Sequence, residues 1–203
     1  MLDPISLATE GMDDEAVARK ICAVLSVPVG SSHPAGGKSK LDPRIPKYNA
    51  AASLSPWFVL RDLDGDAPCP GALRDSLVAS ISPRLLLRFP VRSIESWLLA
   101  DAPGLSSYLS LSSAALVPVQ PELLPNPKQE MVNLARRSRR RAIRAAMVPP
   151  EGMSVSVGPE YTGLLIVFAR SHWDPWVAAE RAQSLRRCIS ALCRLYGLPS
   201  PLT

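Results

Sequence analysis

Two short apolar runs restrict what this chain can fold into more than any other feature. In "WFVLRDLD" (57–64) and "RLLLRFPV" (84–91) the hydrophobic residues follow one another without polar alternation. A strand with one wet face alternates apolar and polar residues, so an uninterrupted run marks a strand covered on both sides. The covers have to be helices. "DDEAVARKICAVLSV" (13–27) spaces Ala16, Ile21, Val24 and Leu25 as one helical face and carries acids in its first turn, where the helix dipole favours them. "IPKYNAAASL" (45–54), "PGALRDSLVASI" (70–81) and "SIESWLLA" (93–100, Ser93 as N-cap) also read as helices, and "ISLAT" (5–9) as a strand. "PVGSSHPAGGKSKLDPR" (28–44) reads as a loop. Strand and helix alternate, which predicts an α/β fold with a parallel sheet and helices on both faces.

At 203 residues one sizeable domain is expected. No apolar run approaches the roughly 18 residues of a membrane span. The start "MLDPISLATEG" lacks a basic stretch followed by an apolar core, so a cytoplasmic protein without a membrane partner is expected. Cys22, Cys69, Cys188 and Cys193 are scattered with no CxxC pair, and only His33 and His172 accompany them, which argues against zinc and for reduced thiols. The net charge of +5 favours a polyanionic partner.

The chemistry concentrates in "FVLRDLDGDAP" (58–68), where Asp62, Asp64 and Asp66 alternate directly after an apolar run. Ligands of an open α/β sheet bind outside the carboxyl ends of its strands. Asp62 and Asp64 sit at such an end, on one side because strand side chains repeat every two residues. Glu10 follows the first strand, Asp14 comes four residues later, and Glu95 opens the helix after "RLLLRFPV". Carboxylates from three strand ends can thus converge on one rim, and an oxygen-rich cluster suits Mg²⁺ or Mn²⁺. The plainer readings are an Asx-rich turn around Gly65 and first-turn dipole partners at Asp14 and Glu95. Ile94, Trp97 and Leu98 read as core. "GGKS" (36–39) is no phosphate loop, because the glycine such a loop needs at position 32 is Ser32. A calcium loop also fails, with Gly65 fourth and Leu73 twelfth instead of glycine sixth and glutamate twelfth.

"LATEGMDDEAVARKI" (7–21) resembles the first Toprim motif through Glu10, Gly11 and Asp14, and "FVLRDLDGD" resembles its second, the Asp-x-Asp of Asp62 and Asp64. "VRSIESWLLAD" (91–101) is similar to a motif of small Toprim-like proteins related to OLD-type nucleases, often encoded beside an AAA/ABC-type ATPase. The resemblance covers residues 5–101 in motif order, and "GPEYTGLLIVFARSHWDPWVAAERAQSLRRCISAL" (158–192) is similar to the C-terminal part of the same proteins. It implies a Toprim-like Rossmannoid core over 1–110 and a helical C-terminal extension over 111–203. It also implies a metal-dependent nuclease with Glu10, Asp62 and Asp64 as catalytic residues. The lysine that OLD-type nucleases place after the acidic motifs has no clear counterpart; Lys128 and Arg92 are the candidates. "DLDGD" also resembles the Asp-x-Asp-Gly of haloacid-dehalogenase phosphatases, but Asp66 stands where they have threonine and no later "GDxxxD" follows.

The second concentration of charge is "KQEMVNLARRSRRRAIRAAM" (128–147), read as one helix with Met131, Leu134, Ala135, Ala142, Ile143 and Ala146 as its apolar stripe. Arg136, Arg137, Arg139, Arg140, Arg141 and Arg144 are six arginines in nine residues, and their forks match phosphates. No aromatic residue interrupts them, so backbone contact is expected over base stacking. A solvated basic helix, or one docking on an acidic protein, is the plainer reading.

The expectation is a Toprim-type, Mg²⁺- or Mn²⁺-dependent nuclease acting on DNA in preference to RNA. Glu10, Asp62 and Asp64 would hold one ion; Asp14, Asp66 and Glu95 would complete that site or bridge a second. Lys38, Lys40 and the six arginines would contact nucleic acid. A separately encoded ATPase of a defence-type system is the expected partner, with the C-terminal helix face of Leu185, Ile189, Leu192 and Leu195 as candidate contact, and a homo-oligomer is compatible with the same sequence. The alternative is a non-catalytic subunit that binds nucleic acid or the ATPase.

Overall fold

The computed structural model describes residues 2–199. β1 (Ile5–Thr9), β2 (Val29–Pro34), β3 (Trp57–Leu60) and β4 (Leu85–Arg88) form one all-parallel sheet in the order β2-β1-β3-β4. α1 (Met12–Val24) links β1 to β2. α2 (Lys38–Leu41) and α3 (Ile45–Ala51) link β2 to β3, and α4 (Pro70–Leu77) links β3 to β4. After β4 the chain continues through α5 (Ile94–Ala100), α6 (Ala102–Leu109), α7 (Pro127–Arg136), α8 (Arg141–Met147), α9 (Tyr161–Ser171), α10 (Pro175–Arg181) and α11 (Gln183–Tyr196). The expected α/β architecture with a helical C-terminal part is what the chain adopts.

The two-residue period of the strands sorts their side chains into two cores. Ile5, Leu7, Phe58, Leu60 and Leu86 face one side, where Ile21, Trp97, Leu98, Phe168, Leu185 and Ile189 cover them. Ala8, Val59, Leu85 and Leu87 face the other, against Leu41, Ile45 and Leu73. The larger core runs from Ile5 to Cys193, so residues beyond 110 supply much of the cover of one sheet face. Two indoles pin it: Trp173 Nε1–H donates to the Trp97 carbonyl at 3.1 Å, and Trp97 Nε1–H donates to Ser184 Oγ at 2.7 Å.

From β1 the chain goes to β2 on one side and then returns to β3 on the other. The β1/β3 boundary is therefore the point where connections leave in opposite directions, the place where such sheets bind ligands.

Three expectations need correction. The segment 28–44 is not all loop: β2 pairs with β1 from Ile5↔Val29 to Thr9↔Pro34. Its residues "VGSSHP" carry no apolar face because β2 is a half-exposed edge strand held by its backbone ladder, and Pro34 is tolerated at such an edge. β3 is accordingly the third strand, not the second. The arginine-rich stretch is not one helix. α7 ends at Arg136 and α8 begins at Arg141, because Ser138 turns the chain: its Oγ accepts the Arg140 N–H at 3.1 Å, while the Arg139 N–H donates to the Ser110 carbonyl at 3.2 Å. Ala142, expected in the apolar stripe, is exposed.

Candidate functional site

Glu10 leaves β1 and Asp62 leaves β3, on the two neighbouring strands of the switch point. The Asp62 backbone N–H donates to Glu10 Oε1 at 3.0 Å, which fixes the two strand ends relative to each other. Asp14 arrives from the first turn of α1, where its Oδ2 accepts the Gly11 N–H at 2.7 Å. Gly11 is needed for this approach: a Cβ there would come within 2.6 Å of Asp13 Oδ1 and 3.3 Å of Asp14 Oδ2. The dipole-partner reading of Asp14 is thus half right, since one oxygen caps the helix and the other does not.

That other oxygen matters. Asp14 Oδ1 and Asp62 Oδ1 are both buried without a hydrogen-bond partner. Burial raises both carboxyl pKa values well above their ordinary level. The charges of Asp14, Glu95, Glu10 and Asp64 raise Asp62 further, and those of Asp13, Glu10 and Glu95 act likewise on Asp14. Glu10 is raised by burial against the opposing pull of Arg61. Buried polar atoms in folded proteins are almost always paired, so two orphan carboxylate oxygens that repel each other describe a place short of positive charge.

Glu95 is differently held. It is 1% exposed, and its Oε2 accepts Ser93 O–H at 2.6 Å while its Oε1 accepts Tyr161 O–H at 3.1 Å. Ser93 thus precedes α5 as expected but spends its hydroxyl on Glu95 without capping the helix. Lys128 Nζ lies 3.6 Å from Glu95 Oε1, and the charges of Glu95, Asp13 and Asp62 raise its pKa against the opposing effect of burial. Lys128 and Arg92 both line a cleft of about 300 Å³ together with Asp62, Asp64 and Ser93.

Asp64 and Asp66 are held by cations. Lys38 Nζ lies 2.9 Å from Asp64 Oδ2 and 2.8 Å from Asp66 Oδ2, and Arg61 Nη2 lies 2.6 Å from Asp66 Oδ2. Hydrogen bonds from Lys38 and Arg61 hold the Asp66 carboxyl below its ordinary pKa. Asp66 is therefore already neutralised, and the expectation that it ligates a metal finds no support in its contacts. Lys38, expected on nucleic acid, is spent on the same two aspartates. Asp64 takes a left-handed backbone, φ 50°, with its N–H donating to the Arg92 carbonyl at 2.6 Å. Arg61 itself is buried among Asp42, Asp66 and Glu10, the last at 3.7 Å.

The convergent set is thus Glu10, Asp14, Asp62 and Glu95, with Asp13 and Lys128 beside them. Among the described residues no three or more histidine, cysteine, aspartate or glutamate side chains are grouped so that they could hold a metal ion. The two carboxylate oxygens left without a partner at the switch point are those of Asp14 and Asp62. Sequence reading overlooked Asp13, Tyr161 and Arg61. Only Arg61 left a signal, as a lone charge directly after an apolar strand.

The basic residues spread from the end of α7 (Arg136) through the turn (Arg137, Arg139, Arg140) into α8 (Arg141, Arg144). Arg136, Arg137, Arg139, Arg140 and Arg141 are exposed, and Arg136 Nη1 donates to Asn133 Oδ1 at 3.1 Å. Arg144 is half-buried and donates to the Ser138 carbonyl. Arg136, Arg141 and Arg144 border an open depression of about 530 Å³ with Val148 and Pro149. Lys40 is exposed. In α11, Leu185, Ile189 and Leu192 are fully buried in the chain's own core, so that face is not free to receive an ATPase. No helix among the described residues is long and apolar enough to cross a membrane.

Comparisons with protein-family models, with curated proteins and with solved structures return no match, so the site is read from its own chemistry.

Proposed function

We propose that this protein hydrolyses phosphodiester bonds of nucleic acid with a divalent cation, Mg²⁺ or Mn²⁺, held at the β1/β3 switch point. The observation that carries the reading is the pair of buried, partnerless oxygens, Asp14 Oδ1 and Asp62 Oδ1, on two carboxyl groups close enough for the charge of Asp14, and that of Glu10, to act on Asp62. Hard cations take such carboxylate oxygens and keep waters for the substrate. When bound, the ion would polarise the phosphate and lower the pKa of a coordinated water. Asp14, Asp62 and Glu10 are the residues that would hold it. Alternatively Glu10 is not a ligand and takes a proton from the attacking water, a role to which its pKa, raised by burial, suits it. Lys128, raised and therefore fully charged, stands at the cleft to meet a phosphate oxygen, and Arg92 lines the same wall. Ser93 and Tyr161 keep Glu95 fixed against Lys128. The arginines of the α7–α8 turn supply a sequence-independent grip on the backbone, with DNA preferred, and the net charge of +5 agrees in sign. An ATPase encoded separately remains part of the proposal, docking on a surface other than the buried face of α11.

A non-catalytic role for the acidic rim is the second reading. It is favoured by the internal neutralisation of Asp64 and Asp66 by Lys38 and Arg61. Cleavage of supercoiled DNA with Mn²⁺ separates the two. Wild type should nick it and lose the activity in EDTA, and Asp62→Asn should abolish it in a folded protein. Cleavage undiminished by that substitution would overturn the nuclease reading.

A further inference from the structure

β4 is the edge of the sheet, and its outer side opens onto a cavity of about 400 Å³ between α4 and α11. This size is that of an ordinary small-molecule site. The floor is apolar, with Leu87 and Phe89 from the strand end, and Leu123 stands at the rim with 74% of its surface exposed. Three guanidinium groups border it: Arg74 from α4, Arg88 from β4 and Arg187 from α11.

Arg88 is the informative one. Its Nε is buried without a hydrogen-bond partner, and Nη1 reaches only the Leu87 carbonyl at 3.4 Å. No carboxylate acts on it; burial depresses its pKa, and the like charges of Arg194 and Arg74 act in the same direction. A half-buried cation with no counter-charge and a partnerless Nε is costly, and an anion in the cavity would complete it. Arg187 is exposed and makes no ion pair among the described residues. The one carboxylate in the cavity wall, Glu122, is committed elsewhere. Its Oε2 accepts the Gln183 N–H and its Oε1 the Ser184 N–H, each at 2.9 Å, so its charge answers the first turn of α11. The strand adds a donor: Arg88 and Arg84 turn their carbonyls to β3, so by alternation Leu87 turns its N–H to the open edge.

We propose that this cavity binds a small organic anion, with a phosphate or carboxylate head against Arg88 and Arg187 and an apolar body on Leu87, Phe89 and Leu123. The site is separate from the acidic rim and does not depend on the nuclease reading. A planar fork matches either head, and the apolar floor selects against bare inorganic anions.

Calorimetric titration with phenyl phosphate and with benzoate, in EDTA, tests it. At least one probe should bind saturably at about millimolar concentration or tighter. Inorganic phosphate should bind more weakly than phenyl phosphate. Arg187→Gln, at an exposed position, and Arg88→Met, which replaces a half-buried charge by an apolar chain, should each weaken binding roughly tenfold or more. Asp62→Asn should leave it unchanged. Should Arg88→Met not fold, Arg187→Gln alone decides. No saturable binding of either probe, or binding indifferent to Arg187→Gln, overturns the proposal.

Discussion

Replacing Asp62 by asparagine should stabilise the metal-free protein, although the residue is the centre of the proposed site. The Asp62 carboxylate receives no hydrogen bond among the described residues, and its Oδ1 is buried and orphaned. Glu10 bonds the Asp62 backbone N–H, which the substitution keeps. What is removed is a buried carboxyl whose charged form is repelled by Asp14, Glu95, Glu10 and Asp64, and what replaces it is a neutral amide of the same shape. Relief of one buried unsatisfied group is worth about 1–3 kcal/mol. In a chain of this size each kcal/mol moves Tm by about 2–4 °C, so a rise of about 2–12 °C is expected. The sign with pH follows from the raised pKa. Below the ordinary value of 3.8 the residue is protonated in folded and unfolded chains alike and the variant gains nothing. As pH rises from 3.8 towards the raised folded value, the unfolded chain ionises before the folded one, so wild type loses stability and the advantage of the variant grows until both states are ionised. Thermal melts in EDTA from about pH 5 to about pH 8 read it directly. With Mn²⁺ the order should reverse, because only wild type gains binding free energy. A variant less stable than wild type at every pH, with or without metal, would refute the reasoning.

Lys128→Gln should cut the proposed cleavage roughly 100-fold while leaving Tm close to wild type, since its side chain is half exposed and reaches Glu95 only at 3.6 Å; undiminished cleavage would reduce Lys128 to a partner of Glu95. Changing Arg137, Arg140 and Arg141 to Ala together should weaken DNA binding for all sequences alike and shrink the logarithmic salt slope by about one per lost contact. An unchanged slope in a filter-binding series would assign the α7–α8 turn to another partner. Phe168→Ala, at a fully buried position of α9 beside Tyr108, should cost about 3–5 kcal/mol in urea unfolding, and a cost below about 1 kcal/mol would contradict the placement of α9 in the core.

The sheet was legible where its strands are buried. "WFVL" and "LLL" announce themselves by uninterrupted hydrophobicity and "ISLAT" by its short apolar stretch, and with them came the strand ends that carry Glu10 and Asp62. β2 escaped because an edge strand needs only its backbone ladder, and "VGSSHP" offers no pattern to read. The acidic rim was half legible. Spacing puts Asp62, Asp64 and Asp66 on one strand side, but the chain leaves regular strand geometry after Leu60, and Asp64 adopts a left-handed turn that hands it to Lys38. Side chains that meet from distant segments leave no spacing to find: Tyr161 and Lys128 reach Glu95 from elements formed long after it in the chain. The arginine segment misled because helical periodicity can be written through a residue such as Ser138, whose hydroxyl offers the backbone a turn instead.

The central claim is that a divalent cation belongs between Asp14 and Asp62. Mn²⁺ titration followed by electron paramagnetic resonance measures it without reference to any substrate. Wild type should take up Mn²⁺ saturably, Asp14→Asn and Asp62→Asn should each lose that uptake while keeping a cooperative melt, and Asp66→Asn, at a carboxylate already held by Lys38 and Arg61, should retain it. Uptake that survives Asp62→Asn, or no saturable uptake by wild type, would contradict the account.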